Sequence, residues 1–239
     1  MTTMTGNQTA AVLFDLDGTL IDTAPDFSAV LHQLCADQGV TPPSDNAILA
    51  TVSSGARALV ELAFGLRPDA QGFDALFQTL LNQYMDQLQN TRSVLFADMD
   101  VLLGQLEASG IAWGVVTNKP ERFSIPLMQR LDLAHRCSIL ICPDHVSQTK
   151  PHPEPLLLAC DRLGCDPAHS IYVGDHPRDI EAGNAAGMRT IAAAYGYLPP
   201  FPAISEWGAD HISPSVADIA LYLSNHLIFS AQKGLTHEN

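Results

Sequence analysis

Asp15 and Asp17 are separated by one residue and follow the apolar run Ala10-Ala11-Val12-Leu13-Phe14. Such a run reads as a short buried strand. In extended backbone two carboxylates two residues apart point the same way, and Gly18 then permits a sharp turn before Thr19. Two acids held side by side repel each other, and a divalent cation is the natural compensation. The same D-x-D-G start opens calcium loops, but those need a Glu at their twelfth position. Here that position is Asp26, preceded by Ala24-Pro25. An acid pair at a strand end is the better reading.

Three further segments carry reactive residue types. The apolar run Ile111-Ala112-Trp113-Gly114-Val115-Val116 ends in Thr117-Asn118-Lys119. Lys150 lies in Thr149-Lys150-Pro151-His152-Pro153, ahead of a helix-like stretch. Ile171-Tyr172-Val173 ends in Gly174-Asp175-His176-Pro177-Arg178-Asp179. An acid pair, a hydroxyl, a lysine and a second acid pair, in that order, resemble the four motifs of the haloacid dehalogenase-like (HAD) phosphohydrolases. The match spans residues 11 to about 195, and its strength lies in the ordered set, since each motif alone is weak.

The elements that must position these residues are legible in the periodicity. After the first strand, Phe27, Val30, Leu31 and Leu34 keep helical spacing, with Pro25 near the helix start and Gly39 beyond its end. A second apolar pattern from Asp45 to Phe64 is interrupted at Ser53-Ser54-Gly55, and a third, Phe73, Leu76, Phe77, Leu80, Leu81, Tyr84 and Leu88, forms one wide stripe. From Asp98 helix and strand alternate to a last short strand at Asp210–Ile212 and a helix over 215–227, which implies a parallel sheet covered on both faces. The expectation is an α/β protein with a Rossmann-like parallel core over 1–20 and 92–239 and an inserted small all-helical cap over 21–91. Ligands on such sheets bind beyond the carboxyl ends of the strands, where Asp15, Thr117 and Asp175 all fall.

The HAD resemblance implies a role for each motif residue. Asp15 would attack phosphorus and form an aspartyl-phosphate. Asp17 would protonate the leaving alkoxide and then activate water. Magnesium would be held by Asp15, the main-chain carbonyl of Asp17, and Asp175. Thr117, with a backbone amide near Asn118, would bind the transferring phosphoryl group, and Lys150 would neutralise that group and Asp15. Asp179 would stand behind Lys150 or a metal-bound water. Read by residue type alone, Thr117-Asn118 could instead cap a helix and Lys150 could be a solvated loop residue. In the helical insertion Ser53-Ser54-Gly55-Ala56-Arg57 resembles a substrate-specificity loop. Arg57 stands out in an acidic segment and suits a substrate carboxylate, the plainer alternative being a surface pair with Glu61.

Composition bounds the partners. The chain has 239 residues, 12 Lys and Arg against 26 Asp and Glu, and a net charge of -14. That charge argues against nucleic acid and anionic membrane and makes Lys119, Arg122, Lys150 and Arg178, clustered at the motifs, informative. No apolar stretch approaches the ~20 residues needed to span a bilayer. Five cysteines without a C-x-x-C pair read as reduced thiols, and residues 1–9 lack the basic and apolar segments of a signal peptide. The expectation is a cytoplasmic, magnesium-dependent phosphatase acting on a small phosphorylated metabolite. A sugar phosphomutase would share the core motifs but usually carries Glu-Asp in place of Gly174-Asp175. A dehalogenase would lack Asp17, and a non-catalytic module would be expected to have lost a motif residue. Within the phosphatases the chain resembles the phosphoglycolate phosphatase group. Ser54–Arg57, Trp113–Pro120, Ile141–Val146 and Trp207–Asp210 bring it nearest in look to bacterial N-acetylmuramic acid 6-phosphate phosphatases, whose substrate is the leading expectation and 2-phosphoglycolate the alternative.

Overall fold

The computed structural model describes residues 10–228. The chain runs through β1 (Ala11–Phe14), β2 (Ile21–Asp22), α1 (Ala24–Asp37), α2 (Asp45–Val52), α3 (Ala56–Phe64), α4 (Phe73–Gln87) and β3 (Val94–Leu95). There follow α5 (Met99–Ala108), β4 (Ala112–Val116), α6 (Glu121–Arg130), β5 (Ile139–Ile141), α7 (Glu154–Leu163), β6 (Ile171–Gly174), α8 (Pro177–Ala185), β7 (Arg189–Ala193), β8 (His211–Ser213) and α9 (Val216–Leu223). The predicted α/β alternation is present. Six strands form one parallel sheet in the order β5-β4-β1-β6-β7-β8.

β1 is the centre of that sheet, between β4 and β6, and its four residues are fully buried. A strand covered on both faces has no polar side to show, which is why it reads as a continuous apolar run. Its side chains still divide by face. Leu13 packs with Val116, Ile141, Leu156, Ala159 and Tyr172 beneath α7 and α8. Val12 and Phe14 join the larger cluster contributed by α5, α6 and α9.

The three apolar patterns before residue 90 fold as helices and pack on one another, α1 against α4 and α2 and α3 in sequence. Ser53-Ser54-Gly55, the interruption noted in the sequence, is the break between α2 and α3. The helices are joined to the sheet by two segments that pair as an antiparallel ribbon, Ile21 with Leu95 and Asp22 with Val94. At two residues per strand, the ribbon is too short to leave a periodic signal. Asp26 fixes it from the helical side. Its buried carboxylate accepts from Gln87 Nε2 (3.0 Å), Arg92 N (2.8 Å), Ser93 Oγ (2.6 Å) and Thr91 Oγ1. Of the remaining expectations, the five cysteines are free thiols. No helix among the described residues is long and apolar enough to cross a membrane. Residues 1–9, expected to hold no signal peptide, lie outside the described residues.

Candidate active site

Three strands deliver the residues that follow them to one edge. Asp15 comes directly after β1, Thr117 after β4 and Asp175 after β6, while Lys150 arrives from the loop between β5 and α7. β1 lies where the strand order reverses direction, the position at which open α/β sheets bind ligands.

Asp15 is 3% exposed. Its Oδ1 lies 3.0 Å from Lys150 Nζ and accepts from Leu16 N at 2.7 Å. Burial pushes the carboxyl up, but Lys150 and Arg178 more than offset it and hold Asp15 below the ordinary value. A carboxylate kept ionised in this way has the protonation state that nucleophilic attack requires. Lys150 is itself buried, with Nζ 2.7 Å from Asp179 Oδ1, 3.0 Å from the Val116 carbonyl and 2.6 Å from the Tyr172 hydroxyl. It is therefore no solvated loop residue. Asn118 fixes its main chain, donating to the Lys150 carbonyl at 2.9 Å and accepting from Lys150 N at 3.2 Å. Thr117 Oγ1 accepts from Lys119 N at 3.1 Å, and α6 begins only after Pro120, so Thr117 does not cap that helix.

Asp175 is completely buried and accepts three hydrogen bonds: from Thr19 Oγ1 (3.1 Å), Ser53 Oγ (2.8 Å) and Tyr197 N (2.8 Å). Burial, then the neighbouring Asp179 and Asp15 charges, push its pKa up to about 8. Asp179 is raised too, by burial, although Lys150 pulls against it. His176 caps α8 through Arg178 N and is pushed down to about 4 by burial and by the Arg178 cation, which leaves it neutral.

One oxygen from each of Asp15, Asp175 and Asp179 lies within 4.8 Å of the others, all three residues buried. The surroundings are pressed in around this trio. A Cβ on Gly18 would come within 2.1 Å of Asp175 Oδ2, and one on Gly196 within 2.2 Å of the Gly18 carbonyl. Three buried carboxylates facing one lysine and one arginine, with Asp175 resisting ionisation, suit a hard divalent cation with oxygen ligands. Among the described residues no imidazole or thiolate joins the trio, whose oxygen donors suit a hard cation better than zinc.

The Asp17 carboxylate is not part of the trio. Its Oδ1 accepts from Thr23 Oγ1 at 2.6 Å and from Lys119 Nζ at 2.9 Å. The Lys119 ammonium lies over the rings of Phe27 and Tyr84, at 4.8 and 4.5 Å, so a cation of the sheet edge is seated in an aromatic pair from α1 and α4. The sequence counted Lys119 among the motif cations but gave no reason to link it with Asp17. Asp15, Asp17 and Lys119 share a cavity of about 410 Å³ with Ser53, Arg57, Arg122 and Arg178. Arg57 is exposed, its guanidinium 4.4 Å from the centroid of the Phe77 ring, and among the described residues it has no carboxylate partner, Glu61 included. Arg178 donates to the Ser53 carbonyl, joining α8 to the loop between α2 and α3. Sequence reasoning gave no role at the acids or at Lys150 to Thr19, Ser53, Tyr172 or Tyr197, whose partners there lie far away along the chain.

Comparison with known proteins agrees with this geometry. The profile of the family described as haloacid dehalogenase-like hydrolase matches residues 12–193. An N-acetylmuramic acid 6-phosphate phosphatase from Pseudomonas putida is 51% identical over 200 residues, covering 84% of this chain and 89% of its own. A phosphoglycolate phosphatase from Xanthomonas campestris is 41% identical over 200 residues, covering 84% and 90%. The crystal structure of a predicted phosphoglycolate phosphatase from Haemophilus somnus superposes with a TM-score of 0.80 at 27% identity, covering 91% of this chain and 99% of that one.

Proposed function

Because the chain belongs to the haloacid dehalogenase-like hydrolase family and is a phosphatase, we propose that it hydrolyses a small, carboxylate-bearing phosphomonoester, with N-acetylmuramic acid 6-phosphate as substrate. The observation that carries the reading is the shared cavity, in which the ionised Asp15 and the carboxylate-seeking Arg57 face one ligand space. The 51% identity to a phosphatase of that name supports the sugar, and a phosphoglycolate phosphatase at 41% keeps 2-phosphoglycolate as the alternative.

In this reading Asp15 attacks phosphorus and carries the phosphoryl group as an aspartyl-phosphate. Asp17, once released by Lys119 and Thr23 and protonated from solvent water, gives that proton to the leaving alkoxide and later takes one from the attacking water. Such a group supplies about 10²–10⁴-fold. Thr117 and the Asn118 amide bind the phosphoryl oxygens, and Lys150 balances their charge. Lys150 also meets Asp179, which orients the ammonium. Magnesium, held by the carboxylates of Asp15 and Asp175 and the carbonyl of Asp17, would neutralise charge on the transferring group when bound. We take residues 21–91 as the cap and 1–20 with 92–239 as the core, working in the cytoplasm. A phosphomutase with Glu at position 174 would not fit this backbone, since a Cβ there would lie 2.3 Å from Asp179 Cβ.

The test is a panel of metabolite phosphates with and without magnesium. Hydrolysis confined to the magnesium arm, with the muramic sugar giving the highest kcat/KM, is the expected result. Phosphoglycolate winning by about tenfold, some 1.4 kcal/mol, would overturn the substrate and leave the chemistry standing.

A further inference from the structure

The short loop after β7, Tyr195-Gly196-Tyr197, touches Asp175, the turn at Gly18-Thr19 and both segments that join the helices to the sheet. The Tyr197 amide donates to Asp175 Oδ2 at 2.8 Å. At the other end of the same residue, the phenol oxygen accepts from Ala24 N at 2.9 Å and donates to the Asp22 carboxylate. Asp22 belongs to the first linker strand, and Ala24 opens α1, where a helix leaves its first amides without partners. Tyr195 donates to the Thr19 carbonyl at 3.0 Å. Both tyrosine rings pack on Phe96, just beyond the second linker strand, at 5.0 and 6.2 Å between centroids. Tyr197 is 3% exposed, so its hydroxyl has no water to fall back on.

The loop is held tightly against the acids. A Cβ on Gly196 would lie 2.2 Å from the Gly18 carbonyl and 2.4 Å from Asp175 Cβ. A rigid aromatic side chain therefore spans from the carboxylate expected to hold the cation to the hinge of the helical insertion, with a polar contact at each end. Nothing soft intervenes. Movement of the first linker must either break the phenol contacts or be passed to the Asp175 side.

We infer that Tyr197 is a positioning residue that couples the first cap linker to the metal-binding carboxylate Asp175, so that the position of the cap and the affinity of the cation site are set together. This rests on the reading of Asp175 as a magnesium ligand. The contact is indirect with respect to the reacting atoms, and its effect should be felt in metal binding even with no substrate present.

Two variants of the full chain test this from opposite ends of one hydrogen bond. Tyr197→Phe removes only the hydroxyl and leaves the amide on Asp175. Asp22→Ala removes the acceptor without touching the loop, and serves if the first variant folds poorly. Magnesium affinity is read without substrate, from the rise of the melting temperature with magnesium concentration. Amide exchange over residues 19–25 reports the linker. Each variant should bind magnesium roughly ten- to a hundredfold more weakly, the usual cost of removing a group that orients a ligand, and exchange faster at Ala24. The double variant should lose less than the two single losses summed, because both remove the Tyr197–Asp22 hydrogen bond, while Tyr197→Phe also takes one acceptor from Ala24 N and Asp22→Ala the other, at 3.3 Å. Faster exchange with wild-type magnesium affinity would overturn the coupling, as would additive losses in the double variant. If wild type hydrolyses phosphate esters and the variants bind magnesium as well as it does, the inference alone falls. If wild type binds no magnesium, the reading of Asp175 falls and takes the inference with it.

Discussion

Asp175 predicts a pH-dependent stability that the cation should abolish. Its carboxyl moves from the ordinary 3.8 to about 8 in the folded protein without metal, through burial and the nearby Asp179 and Asp15 charges. Between those values the unfolded chain has lost a proton that the folded chain keeps. The contribution of Asp175 to stability is therefore fully present below about pH 4, falls as pH rises through the window, and levels off above about 8. One proton corresponds to about 1.4 kcal/mol per pH unit. Unfolding entropy of about 2.1 cal/mol/K per residue over 239 residues comes to about 0.5 kcal/mol/K, so the melting temperature should fall by about 3 °C per pH unit. The assay is calorimetry from pH 5 to 8 in EDTA, in saturating magnesium, and with Asp175→Asn in EDTA. Asparagine can still accept from Tyr197 N and Ser53 while donating to Thr19, so the variant removes the charge and keeps the contacts. Taking differences between proteins cancels the histidines, which titrate in both. Magnesium-loaded wild type and chelated Asp175→Asn should each show a slope flatter by about 3 °C per pH unit than chelated wild type. Parallel curves for wild type and Asp175→Asn in EDTA would refute the argument.

Asp15→Asn should abolish turnover on every substrate while the fold survives, and wild type should retain configuration at phosphorus, as a chiral labelled phosphate ester will show. Asp17→Asn should slow esters with poor leaving groups by about 10²–10⁴ and aryl phosphates less, read from kcat/KM across a leaving-group series. Arg57→Ala should remove the preference for carboxylate-bearing substrates over N-acetylglucosamine 6-phosphate, a loss of about 1.5–3 kcal/mol or roughly ten- to a hundredfold in kcat/KM, and spare small aryl phosphates. Asp26→Ala strands the donors of Gln87, Thr91, Arg92 and Ser93 in a buried site, and should cost about 3 kcal/mol or more in denaturant unfolding.

What the sequence made legible and what it hid divide along a physical line. The sheet could be read because each buried strand is a short apolar run whose end is marked by a residue that does not belong in a core, Asp15, Thr117 or Asp175. The helices could be read because Phe27 to Leu34 and Phe73 to Leu88 keep one spacing over several turns. These are local signals. The groups that tune the acids are not local: Thr19 reaches Asp175 across 156 positions, Ser53 across 122, and Lys119 reaches Asp17 across 102. Tyr172 was legible only as one more apolar residue of β6, since its ring fills the core while its hydroxyl meets Lys150. Even Asp17, identified from its spacing, shows the limit. Two residues along an extended strand would place it beside Asp15, but the chain has already begun to turn at Gly18, and Thr23 and Lys119 take its carboxylate. Motif residues announce the reaction because chemistry restricts their type and order. Their protonation and aim are set by donors that only the folded chain brings near, and that is where the sheet edge and the helical insertion are joined.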